Sequence, residues 1–389
     1  MRVRASGSFR RYTIQSGHSG TSGGADVELV RRLHENRFRS IDHAGSEVSS
    51  VGWCRPDGTV PRQFDEDDLR LGEVVALALR IDRKRLPAGA LRIRRREAEA
   101  AERREVGERI APARRREIAD KIETELVARM VPSTAVHPLL WHGGRRELLV
   151  GTTSDPANVS ARALFRETFE ASIEPLVTAT LAPRLAPPEA AIGLGGLAPA
   201  TFTQGGVAVV SDSAAFLGRE LLLWLWFRCE TVGGAFALPE LGEVGVAFDQ
   251  LLELGAAQEE GEGKVSLRSD APTLSPEAAS ALQGGKLPTR ARLLLARGEK
   301  TFEVTLAADS LDLEGVKVSA ESEAISDENL RAGDEQRAGW LFELCSLVDA
   351  LFAGFLKLRL DRGFEQELLP SIRNWIASRG RPRARAATR

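Results

Sequence analysis

The sequence predicts an α+β protein with mixed sheets and a protruding helical arm, and three observations carry that prediction. Short aliphatic or alternating stretches bounded by turn residues read as strands, and they are interleaved with segments of helical period. One long stretch, 80–132, has helical character but too few large apolar side chains to fill a core. A Pro/Gly/Ala-rich segment at 183–206 marks the best linker candidate, taken as 183–212, between two parts of the chain. The expected organisation is an N-terminal α+β domain from 1–80 and 139–182, with the arm inserted at 81–138. The linker then leads to a C-terminal α+β domain at 213–362, and a last helix and basic tail occupy 363–389.

Taken in order, 2–14 (RVRASGSFRRYTI) reads as a strand, followed by a GHSGTSGG loop. Asp26 is placed to cap a short helix whose apolar side is Val27, Val30 and Leu33. Val51 and Trp53 suit a strand, and Arg55-Pro56-Asp57-Gly58 suits a turn. Val74–Ile81 reads as a short, buried, aliphatic strand that delivers the chain to Arg83-Lys84-Arg85-Leu86-Pro87.

The arm divides at Pro112, which lacks an amide donor. Up to Arg109 the large apolar residues are Leu91, Ile93 and Val106, and this half spans roughly 30 Å as a helix. Beyond Pro112 a stripe of Ile118, Ile122, Leu126, Val127, Met130 and Val131 predicts a packed face. Leu139–Trp141 and Leu148–Val150 flank a glycine-bearing turn, Asp155-Pro156 opens a helix, and Ile173–Leu181 reads as a strand.

In the second half, Phe216–Phe227 is the most hydrophobic segment. It is too short to span a bilayer and reads as a buried helix that includes Trp224 and Trp226. Strands follow at 243–254 and 264–268, then a helix capped by Ser275 and a hairpin turned at Arg297-Gly298-Glu299-Lys300. An amphipathic helix over 338–358 and a last helix over 365–378 complete the chain.

Charge is partitioned. The net charge is −2, yet Arg80–Lys121 holds 15 Lys/Arg against 8 Asp/Glu, a surplus of +7. Residues 230–335 hold 21 acidic and 9 basic residues, and the last eleven residues, RGRPRARAATR, hold five arginines and no acid. Such separation sets up an oriented field that attracts an anionic partner to one region. The bland account of the arm is a solvated helix laced with pairs such as Glu99–Arg103 and Glu105–Arg109.

Three cysteines, odd in number and far apart, argue for a reducing, cytoplasmic setting, and no run is long and apolar enough to cross a membrane. Catalysis finds no support. Asp65-Glu66-Asp67-Asp68 is the densest acidic cluster, but neighbours on one loop make a poor two-metal cage, so a metal-dependent exonuclease is a remote alternative. His137 and His142 lack a matching Cys or His pair for zinc, and Gly193-Leu194-Gly195-Gly196 does not fit the dinucleotide fingerprint. No cofactor is expected. A protein-interaction module whose basic arm binds an acidic partner is the alternative of a different class.

The chain resembles the recombination-associated RdgC family. The resemblance rests on SFRRYTI near the N-terminus, on the Val51–Gly58 stretch, and on the strand leading into Arg83-Lys84-Arg85-Leu86-Pro87. It continues through the charged arm to Glu125–Pro132, resumes at Trp141 and Leu148–Gly151, and holds the order of elements in the second half. It implies a cytoplasmic, nucleoid-associated homodimer, shaped as a ring or horseshoe. Such a protein binds single- and double-stranded DNA without sequence preference and restrains RecA-dependent recombination.

The phosphate contacts expected on this reading are Arg83, Lys84, Arg85, Arg92, Arg94, Arg95, Arg96, Arg103, Arg104, Arg114 and Arg115, with Lys264 and Arg268 from the stretch matching the family's inner wall. Three departures stand out, the first being extra length relative to compact family members, chiefly through 183–240 and the tail. Ser133-Thr134-Ala135 follows Pro132 where an aromatic often helps to close the ring tip, and Lys264 and Arg268 sit in an acidic neighbourhood.

Overall fold

A computed structural model of the chain describes residues 6–15, 27–42, 47–107, 109–189, 191–203, 214–256, 263–320 and 330–379. In chain order the elements are β1 (Gly7–Ile14), α1 (Val27–Glu35), β2 (Ser49–Cys54), α2 (Glu66–Leu69), β3 (Arg70–Leu71), β4 (Val74–Arg83), α3 (Ala88–Val106), α4 (Pro112–Ala128), β5 (Ser133–His142), β6 (Glu147–Val150), α5 (Asp155–Phe169), β7 (Ile173–Pro175) and α6 (Thr178–Leu185). The second half adds α7 (Phe216–Thr231), β8 (Ala235–Leu238), β9 (Gly242–Gly255), β10 (Val265–Leu267), α8 (Pro276–Gln283), β11 (Leu287–Arg297), β12 (Lys300–Ala307), β13 (Leu313–Ala320), α9 (Leu330–Arg359) and α10 (Leu369–Ser378). This is an α+β chain, but its strand ladders are antiparallel where mixed sheets were expected. A parallel pairing occurs at the isolated bridge between Arg37 and Trp53. Among the described residues no helix is long and apolar enough to cross a membrane.

The elements sort into two compact units. One draws on Ser16–Gly144 and Ser154–Ser172, the other on Val3–Gln15, Arg145–Thr153 and Ile173–Arg389. The division therefore differs from the expected one. Strand β1, read as part of an N-terminal domain, pairs with β13 through Gly7↔Val316 and Phe9↔Leu313. Its Arg10 forks onto Asp312 at 2.8 Å.

The Pro/Gly/Ala-rich stretch is not a boundary either, as far as it is described. Arg359 donates to the Ala198 carbonyl at 2.6 Å, Arg373 donates to that of Thr201 at 2.7 Å, and Phe202 is buried. Glu220 accepts from the Ala200 amide and, at 2.7 Å, from Arg359, so a buried ion pair clamps the strap to α7 and α9.

In the first unit, β4 is the central strand. It pairs with β2 from Ser49↔Arg83 to Cys54↔Ala78 and with β5 from Val74↔His142 to Arg83↔Ser133. Its first six residues are all buried, as a central aliphatic strand requires. Trp53, Trp141, Phe165 and Phe169 form one aromatic cluster, and the Trp53 indole donates to Thr168 Oγ1 at 2.7 Å. Helix α1 buries Leu29 and Leu33, whereas Val27, expected on its apolar side, is 86% exposed.

In the second unit the strands run β10-β9-β11-β12-β13-β1-β6, with β7 beside β1 and β8 beside β9. The strand read over Ile173–Leu181 stops at Pro175. There Thr180 Oγ1 accepts the Val177 amide and donates to the Pro175 carbonyl, a local cap that starts α6. Helix α7 is buried along Leu221–Trp226, worth about 1.5–3 kcal/mol per large apolar side chain, and packs on β11 and β9.

Close approach on this helix depends on Gly218, where an added Cβ would fall 1.7 Å from the Ala308 carbonyl oxygen. Gly218→Ala is expected to cost about 3 kcal/mol or more by forcing the helix off the sheet. Urea denaturation checks this; a loss below about 1 kcal/mol would show that α7 yields freely. The GHSGTSGG loop, Asp26 and the tail beyond Arg379 lie outside the described residues.

Candidate nucleic-acid interface

The arm is the connection between two adjacent strands. Arg83 and Ser133, the last pair of the β4–β5 ladder, are also its two ends, so chain that leaves one strand returns beside it. Helices α3 and α4 pack on each other as an antiparallel hairpin, with ion pairs Arg95–Glu123 at 3.3 Å and Glu102–Arg114 at 2.7 Å marking the register. The seam is thin. Leu91 and Ala98 are half-buried on α3, and Ile118 and Val127 are buried on α4. Of the expected stripe, Ile122, Leu126 and Met130 are half-buried and Val131 is 87% exposed.

Gly107 ends α3 with φ +104 and ψ −179, a conformation that belongs to glycine. Ile110 is buried in the turn, and Pro112 starts α4 at the position where a missing amide donor costs nothing. The tip is thus at 107–111. Pro132 and Ser133 lie at the base, where β5 begins, so the absent aromatic after Pro132 has no bearing on the tip.

Counted over Ala88–Ala128, the hairpin holds 11 Lys/Arg and 9 Asp/Glu, so the positive surplus is not spread along it. It is concentrated at the ends. Residues 83–96 hold seven cations and no acid, and 109–116 hold Arg109, Arg114, Arg115 and Arg116 and no acid. Between them acids partner several arginines: Arg94 with Glu97 at 3.4 Å, Arg103 with Glu99 at 3.4 Å, and Arg114 with Glu102 and, at 2.9 Å, Glu117. The guanidinium of Arg114, hydrogen-bonded to Glu102, holds that carboxyl below the usual range. Glu105–Arg109 does not form, because α3 ends at Val106.

What is left over is a set of exposed arginines with no ion pair or side-chain hydrogen bond among the described residues: Arg85, Arg92, Arg96, Arg104, Arg109, Arg115 and Arg116. For Arg115 the placement runs against local stability, whereas Arg104 lies in the last turn of α3, where a cation is favoured. Neither arm helix has an acid in its first turn, and α4 carries Arg114 and Arg115 there, beside the positive end of its dipole. Each such cation costs about 0.3–1 kcal/mol relative to an acid-favouring first turn.

The remaining expected contacts scatter. Lys84 is buried, 5% exposed, and is withdrawn as a phosphate contact, while Arg83 is half-buried. In the second unit Arg268 is exposed, but Lys264 is bound to Glu253 at 2.7 Å. Burial raises the Glu253 carboxyl, and Lys264 and Arg290 outweigh it, holding it below the usual range.

Three further cations, Arg290, Arg292 and Lys317, lie on the same sheet. Arg290 is bound to Glu253 and Glu314, Arg292 to Glu303, and Lys317 to Glu303 at 3.7 Å. The alternate Arg290-x-Arg292 in β11 was the available signal. This surface pairs most of its charges internally, whereas at the two ends of the arm Arg85, Arg92, Arg96, Arg109, Arg115 and Arg116 have no ion pair among the described residues. Arg109 and Arg116, outside the expected contact set, are exposed as well, and Arg116 completes the triplet Arg114-Arg115-Arg116.

Elsewhere the reactive groups are occupied structurally. Asp65 caps α2 by accepting the Asp67 amide. Burial pushes the Cys54 and Cys345 thiols up to about 12, and all three cysteines are free. No group of three or more His, Cys, Asp or Glu among the described residues is arranged to hold a metal. The chain matches no protein-family model and no curated protein.

Proposed function

We propose that the chain belongs to the class of proteins that bind nucleic acid through its phosphates, without reading sequence, and that the arm is the gripping element. The particular reading follows from the resemblance to the RdgC family: a homodimeric, nucleoid-associated DNA-binding protein that restrains RecA-dependent strand exchange. One observation carries the class. Seven exposed arginines on the arm and its base have no ion pair or side-chain hydrogen bond among the described residues, in a hairpin where neighbouring arginines are paired, and one of them, Arg115, sits in the first turn of α4, where the helix dipole disfavours a cation. Cations left without a partner beside paired ones are where a functional contact is expected. Guanidinium forks suit phosphate oxygens, and release of counterions drives such binding.

The test is binding to labelled single- and double-stranded oligonucleotides across salt. Measurable affinity for unrelated sequences at about 50 mM salt is expected, with a log–log slope of about −6 or steeper. A slope near zero, or no binding at that salt, rules the reading out. Binding to an acidic protein that polyanions cannot displace would favour the protein-interaction alternative. Strand-exchange assays and light scattering then address the recombinase and dimer parts separately.

A further inference from the structure

The strongest feature outside the arm is a cavity of about 570 Å³ in the second unit, walled by α9, by the β11–β12 turn and by the β8–β9 turn. It is large enough for more than one side chain. Trp340 stands in its wall, half-exposed. Of the six tryptophans in the chain, the other five each lie against another aromatic ring. The Trp340 indole has neither a ring partner nor a hydrogen bond among the described residues. A large aromatic left open on a helix face, where its neighbours Ala338, Leu341 and Phe342 are buried, is not explained by packing.

The charges around it decide what it could hold. Arg297 and Lys300 both point at Glu343, at 2.5 and 2.7 Å, and are thereby satisfied. Glu243 and Glu299 also line the cavity, are exposed, and have no cation among the described residues. The wider stretch, 230–335, carries 21 acids against 9 bases, so a phosphate approaching this region is repelled and a cation is drawn in.

The same unit already holds a guanidinium with this combination of groups. Arg379 lies over Trp226 and Trp375, 4.7 Å from each ring, and is ion-paired with Glu230. Indole face plus carboxylate is a site for a planar cation.

We propose that the Trp340 cavity binds an arginine side chain presented by a basic peptide segment. The guanidinium stacks on Trp340 and forks onto Glu243 or Glu299. Nothing in this depends on the arm, so either proposal can fail alone.

The experiment uses the full chain with fluorescein-labelled hexa-arginine, hexa-lysine and a fifteen-residue oligothymidylate as probes. Hexa-arginine is expected to bind at least about threefold more tightly than hexa-lysine, because a guanidinium stacks and an ammonium does not. Trp340→Leu is expected to weaken hexa-arginine about tenfold, with Trp340→Phe retaining most of the affinity. Glu243→Gln combined with Glu299→Gln is expected to weaken it about tenfold at low salt. Absence of hexa-arginine binding, or unchanged affinity in Trp340→Leu, overturns the proposal. Trp340-dependent binding of the oligothymidylate also overturns it, making the cavity a base-stacking site.

Discussion

Replacing Arg92, Arg96, Arg104, Arg109, Arg115 and Arg116 together by Gln is expected to weaken DNA binding at least about a hundredfold near 50 mM salt. The log–log salt slope should become shallower by about five, since each lost phosphate contact removes about 0.9. None of the six makes an ion pair among the described residues, and Gln has nearly the helix propensity of Arg, so the hairpin should persist. Removal of Arg115 from the first turn of α4 should even relieve its dipole.

The informative control replaces Arg94 and Arg103 instead, which are paired with Glu97 and Glu99. That change should shift affinity far less, because a phosphate must compete with a carboxylate already in place. Equal losses in the two variants, or an unchanged slope in the first, would remove the arm from the interface. Anisotropy titrations at four or five salt concentrations decide it. Base and tip clusters can also be tested separately, as Arg92 with Arg96 and as Arg115 with Arg116.

Arg11→Met is expected to destabilise the second unit by about 3–5 kcal/mol, the cost of stranding buried charge. The Arg11 side chain is fully buried, forks onto Asp349 of α9 at 2.8 Å, and meets Glu147 of β6 at 2.6 Å. Arg145 holds the other side of Glu147 at 2.9 Å and reaches Ser346 at 2.7 Å. Removing the guanidinium leaves Asp349 without this partner and Glu147 with Arg145 alone. Replacing Glu147 by Gln and Asp349 by Asn as well should recover part of the loss, since neutral groups tolerate burial better.

The pH dependence has a definite sign. Burial raises the Glu147 carboxyl, but Arg11 and then Arg145 outweigh it and hold it below the usual range. A carboxyl depressed in the folded state contributes stability above its unfolded value, about 4.3, and loses it as pH falls through the lower folded value. Wild type should therefore lose this contribution below about pH 4, while the Arg11→Met difference shrinks there. Urea denaturation at pH 7 and pH 3.5 measures both. A pH 7 loss under about 1 kcal/mol would mean that the network is dispensable.

Much of the fold was legible because it is written in local pattern. The aliphatic run at Val74–Ile81 became the buried central strand β4, and Ser275 caps α8 by accepting the Ala278 amide. The Arg297–Lys300 turn, with Gly298 at φ +57, closes the β11–β12 hairpin. The sequence places Trp224 and Trp226 in a buried helix, and both are buried. The Ile173–Leu181 strand failed because a short β-rich run followed by Thr and Pro can also cap a helix, and Thr180 settles the choice through its own hydroxyl.

For the arm, the amino-acid sequence alone determined that a helical, arginine-rich insertion exists and where it breaks, because period, proline and glycine act within a few residues. It could not show which arginines are free, since Glu123 lies 28 positions from Arg95 and becomes its partner only when the hairpin folds back. Nor could it show that Lys84 is buried, or that β1 belongs with strands 300 residues away. Ion pairing, burial and strand register are properties of what meets in space, and only the tertiary structure decided them.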